Sequence, residues 1–138
     1  MFELRYIHPA NLHSAWDVVA DGIAKCLESE DEDARVEDVY AAIKANLATL
    51  HLGYLNGAYI GFAVLQSPSD PYSNTPRLHI WFLEGIKTVL VPFFTELQKM
   101  AHSLGADRIT FQSPRSGFGR LLKDEGFEEV QILYLKRV

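Results

Sequence analysis

The pair Asn56-Gly57 stands between two apolar runs, Thr49 to Leu55 and Ala58 to Gln66. A two-residue loop of this kind closes a hairpin, because both residues tolerate the positive φ that matches the twist of the flanking strands. The sequence therefore predicts two antiparallel neighbours in a sheet near the middle of the chain. Ser67 to Pro76 holds three prolines and reads as a loop, and Arg77 to Leu83 as a third strand. Leu90, Phe93, Phe94, Leu97, Met100, Ala101 and Leu104 then recur at helical spacing, a broad apolar stripe that Gly105 ends as a C-cap.

The remaining segments complete an alternation of strands and helices. Phe2 to Ile7 alternates like a strand and is stopped by Pro9. Ser14, with Asp17 after it, predicts the cap of a helix whose buried face is Trp16, Val19, Ala20, Ile23 and Leu27. An acidic run, Glu28 to Asp33, reads as a solvated connection. Val36, Val39, Tyr40, Ile43 and Leu47 mark a second helix, with Asp33, Glu37 and Asp38 favourable at its start. Ile109 to Gln112 reads as a short strand, Gly117 to Asp124 as a short helix stopped by Gly126, and Glu129 to Lys136 as a last strand. The predicted order is β-α-α-β-β-β-α-β-α-β. That is an α/β chain with a mixed sheet flanked by helices, the strand after the long helix running parallel to its neighbour, in a single domain of residues 1–138.

Composition narrows the classes of function. With 48% apolar and 12% aromatic residues the chain can bury a core. A net charge of −5 gives no electrostatic footprint for nucleic acid or an anionic membrane. One cysteine, Cys26, excludes an internal disulfide and fits a reducing compartment. No apolar run reaches the ~20 residues that span a bilayer, and Glu3 and Arg5 interrupt any signal-like N-terminus. The expectation is a soluble, cytoplasmic protein.

Three stretches in this order resemble the GNAT superfamily of acyl-CoA-dependent acetyltransferases. They are Leu4-Arg5-Tyr6 leading into a helix through Pro9-Ala10-Asn11-Leu12, the strand-helix-strand from Arg77 through Leu104-Gly105 to Ile109, and Lys123-Asp124-Glu125-Gly126-Phe127. Ser113-Pro114-Arg115-Ser116-Gly117-Phe118-Gly119-Arg120-Leu121-Leu122, with Gly126-Phe127 and Tyr134-Leu135-Lys136, looks like a divergent group of phage and prophage GNAT-like proteins. The resemblance implies acyl transfer from acetyl-CoA or another acyl-CoA to an amine, without a metal.

It also implies roles for particular residues. The family's glycine-rich pyrophosphate cradle falls on Gly85, Thr88 and Leu90, so two of its small positions are filled by larger side chains. Backbone amides from Lys87 through Thr88 and Val89 to Leu90 would hold the phosphates, with Lys87 adding a cation and Leu90 crowding the cradle. The family's tyrosine acid falls on Leu122, which exchanges no proton, leaving Tyr134 as a substitute from the last strand. Glu84 and His79 are the candidate bases. Their plainer reading is a solvated strand end and a sheet-face residue. Strict alternation puts His79, Trp81 and Leu83 on one face, opposite Leu78, Ile80 and Phe82. Leu90 with Trp81 would also fit a closed cleft. His51 and His79 lack the partners and spacing of a metal site, Cys26 reads as a core residue, and Arg115, Arg120 and Lys123 form a basic cluster. Two readings follow: an acyltransferase with an altered acyl-CoA site, or a noncatalytic phage or prophage protein, a virion or morphogenesis component or a module that binds a protein partner.

Overall fold

The computed structural model describes residues 1–29, 34–66, 77–85, 87–111, 122–130 and 136–138; the side chains of 29 and 87–89 lie outside that description. Among the described residues five strands form one sheet in the order β1-β2-β3-β4-β5. They are β1 (Phe2–Ile7), β2 (Thr49–Leu55), β3 (Ala58–Gln66), β4 (Leu78–Gly85) and β5 (Ile109–Phe111). The first four pair antiparallel, and β5 runs parallel to β4. Helices α1 (Leu12–Ser29) and α2 (Val36–Lys44) precede β2, and α3 (Lys87–Ser103) joins β4 to β5. The expected final strand lies mostly outside the described residues; of the short helix before it, Leu122 to Asp124 are helical.

The hairpin forms where the sequence places it. Asn56 and Gly57 hold φ of 51° and 85°, and Leu55 pairs with Ala58 across the turn. Helix ends follow a common device. After α3, Gly105 at φ 72° lets Ala106 N–H bond to Ala101 O at 2.9 Å and Gly105 N–H to His102 O at 3.1 Å, a Schellman closure. Gly126 closes the Leu122 segment in the same way. Asn46, at φ 62°, does so for α2, so Leu47 lies beyond the helix and is 71% exposed rather than on its buried face.

The start of α1 differs from expectation. The chain enters through a 3-10 turn, Pro9–Asn11, capped by His8, whose Nδ1 accepts from Ala10 N–H at 3.0 Å. Proline at the first position of that turn loses no hydrogen bond. The α-helix therefore begins at Leu12, and Ser14 is inside it. At α2, Asp38 Oδ2 accepts from the Arg35 N–H at 2.9 Å, satisfying an amide just before the helix.

Each face of the sheet carries its own core. Under α1 and α2, Leu12, Val19, Ile23, Val39 and Ile43 meet Leu50, Leu52, Phe62, Val64 and Phe82. Under α3, Leu90, Phe93, Phe94 and Leu97 meet Ala63, Leu65, Leu78, Ile80 and Leu83. Gly53, Gly61 and Gly85 are paired in register across three strands. A Cβ at Gly53 would overlap the Phe93 ring, with Cε2 at 2.9 Å, and one at Gly85 would sit 3.7 Å from the same Cε2. The absent side chains seat Phe93 directly on the sheet, where it also meets Phe2 at a ring separation of 5.0 Å.

Candidate functional site

β4 does not alternate strictly. Val64 pairs with Phe82 but Leu65 pairs with Ile80, so Trp81 is an extra residue in a bulge. Before it, Leu78 and Ile80 face α3; after it, Leu83 faces α3 and Phe82 faces α1. The grouping of His79 with Leu83 opposite Phe82 is thus corrected: the bulge shifts the phase of the strand, and Glu84 lands on the α1 face. Trp81 stacks on Phe82, 4.8 Å between rings at 27°, and packs against the α1 core.

Glu84 is half-buried beside α1. A Cβ on Gly22 of that helix would overlap the carboxylate at Oε2 and come within 2.8 Å of Cδ and 2.6 Å of Phe62 Cε1. Glycine in a helix interior costs about 1 kcal/mol against alanine; here it lets the carboxylate lie directly against the helix backbone. Among the described residues the Glu84 carboxylate makes no hydrogen bond or ion pair. Tyr59 is its aromatic neighbour. Burial, and then the Glu84 charge, push the Tyr59 phenol up to about 12. Tyr54 meets Tyr59 edge to face at 6.1 Å and carries the Arg5 guanidinium 4.2 Å over its ring. Gly22, Tyr59 and Tyr54 were not singled out from the sequence. The one signal available was a glycine inside an otherwise apolar helical stripe, which marks a close approach.

The start of α3 lies at the same end of the sheet. Its backbone turns helical at Lys87, two residues after Gly85, so the first-turn amides of Lys87, Thr88 and Val89 have no acceptor within the helix. Leu90 is fully buried in the α3 core, and its Cδ2 lies 3.2 Å from where a Gly85 Cβ would stand. Pro92 sits one turn further on and gives α3 no N–H to return to the Thr88 carbonyl. β4 and β5 pair only from Leu78–Ile109 to Ile80–Phe111, so beyond Ile80 the β5 side of β4 has no strand partner among the described residues.

Other candidates stand apart. His79 shares the α1 face with Glu84 but lies five residues away, on the order of 15 Å along the strand. Its Nδ1 is held 2.7 Å from Thr110 Oγ1 on β5, and burial, then Arg77, lower its pKa. His51 faces α3, on the opposite side of the sheet from His79, so the two do not converge. Among the described residues no three His, Cys, Asp or Glu side chains are placed to hold a metal. Cys26 is buried in the α1 core. Leu122 packs against the α3 core. Tyr134, Arg115 and Arg120 lie outside the described residues. No described helix is long and apolar enough to cross a membrane.

No protein-family model matches the chain, and no curated protein matches its sequence. Solved structures do match over the whole length. Ribosomal-protein-alanine N-acetyltransferase from Brucella melitensis biovar Abortus 2308 superposes with a TM-score of 0.74 at 11% identity, covering 99% of both chains. The fold is that of the GNAT acetyltransferases. A predicted acetyltransferase from Clostridium acetobutylicum, solved with acetyl-CoA, gives 0.70 at 14% identity over 99% of this chain and 96% of its own. An aminoglycoside acetyltransferase from an uncultured soil sample, in complex with sisomicin, gives 0.68 at 12% over 99% and 97%. These likenesses establish the GNAT fold of the chain.

Proposed function

We infer that the chain transfers an acyl group from an acyl-CoA to an amine, with Glu84 as the base. The observation that carries this reading is the Glu84 carboxylate, lodged against Gly22 and unpaired among the described residues, at the sheet end where α3 presents its first-turn amides. Those amides, with the helix dipole behind them, suit the pyrophosphate of a CoA. The carboxylate accepts a proton from the incoming ammonium, directly or through one water. The freed nitrogen attacks the acyl carbonyl, a C–N bond forms, the C–S bond breaks and the CoA leaves as a thiolate that takes up a proton. Acyl-CoA and an amine are held by structural neighbours of this fold, acetyl-CoA in one and sisomicin in another, which supports both substrate classes.

One observation favours a second reading. Leu122, where the resemblance puts the acid that protonates the thiolate, is packed on apolar neighbours. A noncatalytic protein of phage or prophage kind that binds a protein partner needs no such acid.

Titration calorimetry with acetyl-CoA and with desulfo-CoA separates the two. Saturable binding of both supports the enzyme, and an amine-acceptor screen then follows. In that screen Glu84→Gln lowers turnover by about 10²–10⁴-fold with unchanged CoA binding and thermal midpoint. No heat with either ligand removes the acyl-CoA reading and leaves the protein-binding one. Unchanged turnover in Glu84→Gln removes Glu84 as base.

A further inference from the structure

A groove of about 660 Å³ opens on the α3 face, at the other end of the sheet from Glu84. Its walls include Leu65, Leu78, Met100 and Leu104, with Leu47 from the turn after α2. It meets the C-terminal end of α3, roughly 25 Å along that helix from the first-turn amides, so it is not part of the acyl-CoA site proposed above.

The polar groups of the groove are few. His51 is 6% exposed, and its Nε2 shares a 2.9 Å hydrogen bond with Thr49 Oγ1. Nδ1 has no hydrogen-bond partner among the described residues. Tyr6, half-exposed, leans over the imidazole at 5.6 Å between rings. Gln66 and Asn46 add neutral amides, and no Asp, Glu, Lys or Arg is among the described lining residues. In a chain with 22% charged residues that is a specific chemistry. Burial lowers the His51 pKa to about 4, so the imidazole is neutral near pH 7. At the rim, Leu47 and Leu104 are 71% and 52% exposed, apolar surface that an occupant would cover.

We propose that this groove is a binding site for a neutral, largely apolar small molecule carrying one hydroxyl or similar polar group, which bonds the free edge of the His51 imidazole. The volume is in the range of small-molecule pockets, roughly 300–1,000 Å³. An ionised ligand would shed its hydration and find no counter-charge, a loss that binding does not recover. The aliphatic walls take the body of the molecule, and the His51–Thr49 pair fixes its polar end.

The chain has two methionines, Met1 and Met100, so methyl-labelled methionine gives two NMR signals, one in the groove and one an exposed control. Titration of the full chain uses three probes of one shape: p-cresol, p-toluate and 4-methylbenzylammonium. The Met100 signal shifts saturably with p-cresol, binding of the two ions is about tenfold weaker or less, and Met1 does not move. Leu104→Glu, a change at an exposed position, abolishes the p-cresol shift; Val18→Glu, exposed on α1, leaves it intact. Equal response to the ions, no Met100 shift with p-cresol, or a shift that survives Leu104→Glu overturns the proposal. A Met100 shift that follows protein concentration without any probe also overturns it, in favour of a second copy covering the groove. None of these outcomes depends on acyl-CoA binding, so failure here and failure of the acyltransferase reading are separate results.

Discussion

A methyl group at residue 22 would fall on the carboxylate of Glu84 and 2.6 Å from Cε1 of Phe62. The carboxylate can swing aside, but Phe62 is fully enclosed and cannot. Gly22→Ala therefore reverses the usual sign of such a change. Helix propensity alone predicts a gain of about 1 kcal/mol, whereas overpacking costs ~1–3 kcal/mol. Chemical denaturation should show a net loss, together with reduced turnover from the displaced base if the acyltransferase reading holds. A stabilised variant would mean that α1 does not press on Glu84. This contact was not legible from the sequence. Glu84 could be named as a carboxylate at a strand end, but which helix covers it depends on the packing of residues 62 positions apart. His8 as a cap was missed for a simpler reason: it is outside the usual set of Ser, Thr, Asp and Asn.

At the scale of elements, the β2–β3 turn allows a clean test. A Cβ at Gly57 would meet nothing within 4 Å, so a substitution there costs only its backbone conformation at φ 85°. Gly57→Val should lose roughly 1–2 kcal/mol in denaturation, without altering ligand binding at either end of the sheet. A larger loss would mean that the turn has a packing partner. The turn-side ends of β2 and β3 were legible in the sequence because an Asn-Gly turn fixes both; the register it sets holds only as far as Tyr54–Tyr59, after which Ile60 is left unpaired and Gly53 meets Gly61. The phase of β4 was not. A bulge arises from how Ile80 and Phe82 pair with Leu65 and Val64, and no pattern within residues 78–85 reports a neighbour. The α2 stop was equally hidden, since Asn46 does there what Gly105 and Gly126 do elsewhere.

For the whole molecule, acid is the revealing perturbation. His51 is held neutral by burial, its pKa lowered from 6.5 to about 4, and burial followed by Arg77 lowers His79 as well. As pH falls below 6.5 the unfolded chain takes up protons that the folded chain refuses. Stability is therefore full above that pH, declines as pH falls toward the folded values, and levels off below them. From His51 alone the decline is about 2 kcal/mol between pH 7 and 5. Denaturant midpoints across that range should fall accordingly, and His51→Gln should flatten the slope; an unchanged slope would assign the acid sensitivity to other groups. The two-sided sheet makes this a global effect, because His51 and His79 stand on opposite faces and each is tied to a neighbouring strand or residue by its ring.

The bulge at Trp81 also bears on how such a chain can change over generations. Residues 78–80 and 82–84 are two short inward patterns of opposite phase, joined by one extra residue. Replacement of that residue by another leaves both phases intact. Its loss would also keep Leu78 and Ile80 toward α3 and Phe82 and Glu84 toward α1, because Ile80 and Phe82 already pair with the adjacent residues Leu65 and Val64. Loss of Leu78, His79 or Ile80, or of any residue from Phe82 to Glu84, would instead put its neighbours out of phase. A single-codon deletion is therefore tolerable for the two faces at position 81 alone, at the cost of the Trp81 packing on Phe82 and the α1 core, so lineages carrying this strand should vary in length there and keep it elsewhere.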